Sequence, residues 1–72
     1  MTELKEISLS VEEYEVLRLV DLEEINQLDA CKKMKISQPT LSRILKSAHK
    51  KVSEAIVEGK AIRVQGGNFE CS

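Results

Sequence analysis

From Leu41 to Ile56, apolar residues return at helical intervals: Leu41, Ile44, Leu45, Ala48, Val52, Ala55 and Ile56 form one stripe that lasts several turns. Both ends are marked. Ser37 is a capping residue, and Pro39 stands at the second helical position, where its missing N–H is one that no helix bonds. Gly59 falls where a left-handed cap is expected. The pattern predicts a single helix over Gln38–Glu58. That is long for a chain of 72 residues, so its far end is expected to overhang the compact part or to pack on a second copy.

Two further helices fit before it. Ser10 followed by Glu13 is a capping box, with Leu9 placed to staple against Tyr14. Val11, Tyr14, Val16, Leu17, Val20 and Leu22 then recur at helical spacing, which predicts a first helix over about Val11–Leu22 with its acids on the other face. Asn26 caps a second helix that carries Ala30, Cys31 and Met34 and stops near Lys35. Two short β-like runs remain, Glu6–Leu9 and Ala61–Val64, the latter ending at Gly66-Gly67. Neither can stand alone, so they are expected to pair, within one chain or between two. The fold class expected is all-α: one tri-helical helix-turn-helix domain spanning 1–72, with a long third helix and short extended segments at both ends.

The segment QLDACKKMKISQPTLSRILK, from Gln27 to Lys46, fits the helix-turn-helix position by position. Ala30 and Cys31 are small where two helices cross closely. Met34, Ile36, Leu41 and Ile44 fall where apolar side chains join the two helices, and a three-residue turn separates them. Lys35 occupies the turn position where glycine is preferred for a left-handed backbone, at a cost on the order of 1 kcal/mol.

Charge is segregated along the chain. The formal net charge is only −1, but residues 1–29 carry nine acids against Lys5 and Arg18. Residues 30–53 carry Lys32, Lys33, Lys35, Arg43, Lys46, Lys50 and Lys51 and no acid. At about 100° per residue, Arg43, Lys46 and Lys50 project away from the stripe of Leu41, Ile44, Leu45 and Ala48, with Ser42 on the flank. The first turns of such a helix are the part that reaches base edges in a major groove. Arg43 is the leading candidate for a base contact, because its fork matches the two acceptors of guanine; Gln38 and Ser42 are weaker candidates. Lys46, Lys50, Lys32 and Lys33 suit phosphate contacts, and the Thr40 hydroxyl suits a phosphate or a local bond. Taken singly, an exposed Arg or Lys on a helix is usually just solvated. It is the matched small, apolar and capping positions together that give the pattern its weight.

Other function classes find little support. A composition of 42% hydrophobic and 32% charged residues suits a globular domain and not a disordered chain. No apolar run reaches the roughly 18 residues of a membrane span, and the opening Met1-Thr2-Glu3 is unlike a signal peptide, so a cytoplasmic protein is expected. Cys31 and Cys71 make neither a metal spacing nor a disulfide framework; Cys31 reads as a small core residue and Cys71 as exposed. His49 lacks a second ligand or a nucleophile at meaningful spacing and reads as a surface or interface residue. With no glycine-rich phosphate loop, paired carboxylates or metal cluster, no enzyme, cofactor, metal or catalytic site is expected.

The run LSVEEYEVLRLVDLEEINQLDACKKMKISQPTLSRILKSAHKKVSEAIVEGKAIRVQGG, about residues 9–67, resembles an uncharacterised prokaryotic family of predicted DNA-binding proteins, the family numbered 134 among domains of unknown function. Its most specific stretches are EEYEVLRLVD, QPTLSRILKSAHKK and EGKAIRVQGG. That family looks like the helix-turn-helix of region four of bacterial sigma factors. The resemblance implies a winged-type or simple tri-helical fold and a role in transcription regulation. Two departures stand out: members often open with a basic, proline-containing segment that is not seen here, and many carry small residues or glutamates where this chain reads CKKMK.

The function expected is therefore sequence-specific binding of double-stranded DNA by a transcriptional regulator, with the recognition helix starting at Gln38. The competing class is a protein-interaction module of the same fold, docking on transcription machinery through its acidic first helix. A homodimer formed through the distal third helix and Ala61–Val64 is compatible with either.

Overall fold

The computed structural model describes residues 5–65. Met1-Thr2-Glu3, Gly66-Gly67 and Cys71, which entered the expectations above, lie outside them. The domain is mostly helical, with three helices and one small sheet. In chain order the elements are β1 (Glu6–Leu9), α1 (Val11–Val16, continued as a π-helix over Leu17–Leu22), α2 (Gln27–Met34), α3 (Gln38–Glu58) and β2 (Ala61–Val64). No helix among the described residues is long and apolar enough to cross a membrane.

Local signals set most boundaries. Ser10 and Glu13 form the reciprocal capping box: the Glu13 amide donates to Ser10 Oγ at 3.1 Å, and the Ser10 amide donates to Glu13 Oε1 at 2.8 Å. Asn26 Oδ1 accepts from the Asp29 amide at 2.9 Å to open α2, and Ser37 Oγ accepts from the Thr40 amide at 3.4 Å to open α3. Lys35 closes α2 at φ 58° and ψ 47°, in the left-handed region anticipated for that position. Gly59 closes α3 at φ 68°, with nothing near a would-be Cβ, so its need for glycine comes from backbone conformation and not from space.

The first helix departs from expectation within its length. After Val16 its hydrogen bonds lengthen to the i→i+5 pattern, and the Glu23 amide donates to the Arg18 carbonyl at 2.9 Å. This wider register changes which side chains face inward. Val16 and Leu19 are buried, whereas Leu22, read as part of the apolar stripe, is 77% exposed. The acids do not all face solvent either: Glu13 is buried.

The core is Val16, Leu19, Ala30, Cys31 and Leu41, with Val20, Ile25, Met34, Ile36, Ile44 and Leu45 packed against it. Burying Leu41 and Val16 completely contributes roughly 1.5–3 kcal/mol each. Ala30 and Cys31 are the small residues where α2 meets α3, as the spacing implied. Along α3 the buried stripe continues through Ala48 and Ala55, but Ile56, assigned to that stripe by periodicity, is exposed together with Val57. Because Ala55 beside them is still buried, the covered strip of α3 is narrower here than the apolar stripe of the sequence.

The two extended runs pair with each other in parallel, Glu6 opposite Ala61 and Leu9 opposite Val64. A parallel pair needs a long crossover, and here the whole helical body supplies it. Leu9 is buried, and both strands pack on α3, which gives an otherwise marginal two-stranded sheet its support. The domain is thus a helical body clasped by a small parallel sheet.

Candidate functional site

α3 divides into two faces along its length. Leu41 and Ala48 are fully buried, and Ile44 and Leu45 pack on the core. Gln38, Ser42, Arg43, Lys46 and Lys50 are all exposed. Packing therefore orients the helix, and the residues singled out from sequence are the ones left toward solvent. Arg43 and Lys46 have no carboxylate partner among the described residues. Lys50 makes no ion pair among the described residues either, although its charge helps hold the Glu54 carboxyl below its usual range after the larger effect of Lys60.

Lys32 and Lys33 are exposed in the last turn of α2 and are likewise unpaired among the described residues. A cation there also complements the negative end of the helix dipole, so part of their role is local. Lys35, exposed in the turn between α2 and α3, adds a further charge.

The N-terminus of α3 is more fully occupied than capping alone implies. Ser37 Oγ takes the Thr40 amide and donates its own proton to Thr40 Oγ1 at 3.0 Å, while the Leu41 amide donates to the Ser37 carbonyl at 3.0 Å. Pro39 has no N–H. Of the first-turn donors, only the Gln38 amide is left to meet an anion. Thr40, half-buried, is the candidate most engaged in local structure, with a hydroxyl proton still available to donate.

Two edges of the cationic face are set by acids from the first helix. Lys51 Nζ is bound to Glu13 Oε1 at 2.9 Å, so one of the seven cations counted in the acid-free stretch is neutralised. Ser47 donates its hydroxyl to Glu13 Oε2. Burial pushes the Glu13 carboxyl up, but the bonds from Ser47, the Ser10 amide and Lys51 outweigh it and bring the value down to about 2. His49 Nε2 meets Asp21 Oδ2 at 2.7 Å on an exposed surface, which makes it an interface residue between the first helix and α3. Sequence reasoning missed Ser47, Lys51 and Asp21 in these roles. Their partners lie 34, 38 and 28 positions away, beyond the reach of local spacing.

Comparison with known proteins gives the family. The family DUF134, a protein of unknown function, matches residues 1–72. A UPF0251 protein of Desulforudis audaxviator is 57% identical over 67 residues, covering 93% of this chain and 44% of that protein. A UPF0251 protein of Thermoanaerobacter pseudethanolicus is 52% identical over 69 residues, covering 96% and 58%. One from Halothermothrix orenii is 44% identical over 68 residues, covering 94% and 50%. The chain spans about half the length of the curated relatives it matches. No solved structure gives a significant match. The chain belongs to the DUF134 family.

Proposed function

We propose that this member of the DUF134 family binds double-stranded DNA sequence-specifically, through a helix-turn-helix made of α2, the turn 35–37 and α3, and acts as a transcriptional regulator and not as an enzyme. The observation that carries the reading is the division of α3: Leu41, Ile44, Leu45 and Ala48 are packed inward, while Gln38, Ser42, Arg43 and Lys46 stand exposed on its first turns without acidic partners among the described residues. On this reading Arg43 reads a base, Gln38 and Ser42 assist, and Lys46, Lys50, Lys32, Lys33 and Thr40 fix the register on phosphates. The likeness to region four of sigma factors belongs to the same reading, as do a cytoplasmic place of work and a two-fold dimer on a palindromic site.

Titration against a labelled random-sequence duplex pool across salt concentrations tests it. Four lysines on phosphates (Lys32, Lys33, Lys46 and Lys50) predict that log affinity falls against log salt with a slope of roughly −4. Absence of binding at low salt overturns the reading.

A further inference from the structure

Tyr14, Leu17, Arg18 and Leu22 line an open, largely apolar groove of about 290 Å³ on the first helix. It owes its shape to the π-helical register. In an α-helix, residues five apart point about 140° away from each other. In the wider i→i+5 pattern they come nearer to one side. Leu22 is thereby brought to the side of Leu17, and Arg18 to the side of Glu23, where its guanidinium donates to the Glu23 carboxylate at 2.6 Å. The same guanidinium also holds Glu15 at 2.8 Å, so the one cation on the groove wall is spent on two acids. Leu22 is left 77% exposed and lines the groove together with Tyr14 and Leu17, so its apolar surface is part of a contiguous patch and not a lone side chain.

The surroundings say what could cover it. Between Val11 and Glu24 the chain carries six acids against Arg18. Glu13 and Asp21 turn to Lys51 and His49 on α3, whereas Glu15 and Glu23 both stand at Arg18, the one charged residue lining the groove, and outnumber it there. A net negative rim repels nucleic acid and anionic lipid alike. A second copy is a poor fit as well: its own exposed apolar pair, Ile56 and Val57, sits beside Glu54 and Glu58, which share the single Lys60. We propose that this groove docks the apolar side of a short amphipathic helix from a partner protein, whose flanking lysines or arginines meet the acidic rim. This surface uses residues separate from those assigned to DNA and does not rest on that reading.

The test uses two short fluorescein-labelled peptides, one with leucine and lysine at amphipathic helical spacing and one with glutamate in place of every lysine. Anisotropy titration at physiological salt is expected to show binding of the lysine peptide alone. The decisive variant is Leu22→Glu, which removes apolar surface at an exposed position while adding an attractive negative charge. Apolar docking predicts that it weakens the lysine peptide by roughly tenfold, with an unchanged circular dichroism spectrum. Equal or tighter binding by the variant means that charge alone attracts the peptide, and overturns the proposal. So does equal binding of both peptides, or no binding of the lysine peptide.

Discussion

Glu13 and Lys51 are joined across 38 positions of sequence by an ion pair of 2.9 Å, between the first turn of α1 and the second half of α3. Glu13 caps its own helix through Ser10 and at the same time receives Ser47 and Lys51 from α3. One buried carboxylate thus fixes the start of α1 against the helix whose outer face carries Arg43. It also takes Lys51 out of the cationic surface.

The depressed pKa of Glu13 predicts an acid-labile fold. Because the folded value lies near 2, against 4.5 for an ordinary glutamate, the carboxylate contributes fully above about pH 5, and that contribution is lost as pH falls toward 2. The size is on the order of 3 kcal/mol. Urea unfolding at a series of pH values measures it: Glu13→Gln should lower stability at pH 7 by a comparable amount and flatten the acidic limb. Parallel profiles for the two proteins would show that the carboxylate does not support the fold.

Lys35 holds a left-handed backbone at φ 58° with a side chain that disfavours it. Lys35→Gly should therefore raise stability by about 0.5–1 kcal/mol, the relief of strain exceeding the added freedom of the unfolded chain. Thermal unfolding followed by circular dichroism reads the change. A lower midpoint would mean that the lysine side chain is needed in the turn.

Ala30 is fully buried where α2 meets the rest of the core. Ala30→Leu should force the helices apart and cost roughly 1–3 kcal/mol. Chemical denaturation gives the number, and the variant should also lose DNA affinity because α3 moves relative to α2. An undisturbed fold would show that the crossing has room, contrary to its close packing.

Arg43 and Lys46 occupy neighbouring exposed positions with different expected roles. Arg43→Ala should cost about 1–3 kcal/mol of binding to a selected duplex and relax the preference at one base pair. Lys46→Ala should weaken all duplexes about equally and reduce the salt slope by about 1. Both should unfold like the parent, because neither side chain is buried. Identical effects from the two would remove Arg43 from base reading.

How much of this was legible beforehand depended on how local the cause was. The bounds of α3 follow from Ser37, Pro39 and Gly59, each acting within one turn, and the capping box at Ser10 and Glu13 is equally local. The exposure of Gln38, Ser42 and Arg43 follows from periodicity once Leu41 and Ile44 are taken as inward. Periodicity failed at Leu22, because an α-helical template cannot see a change to π-helical bonding, and at Ile56, because the strip covered there is narrow and takes in Ala55 but not its neighbour. Pairing of Glu6–Leu9 with Ala61–Val64 was expected either within one chain or between two; that it forms within the chain, and in parallel, comes from the packed structure. Lys51 was counted among free cations because its partner, Glu13, is brought to it by tertiary folding alone.

The claim on which the functional reading rests is that the outer face of α3 meets DNA. Amide chemical-shift mapping of the folded protein with a duplex selected from a random pool tests it directly. The account predicts shifts concentrated on Gln38–Lys50, with smaller ones at Lys32 and Lys33. Shifts confined to Val11–Glu24, or a duplex that leaves the spectrum unchanged at low salt, would contradict it.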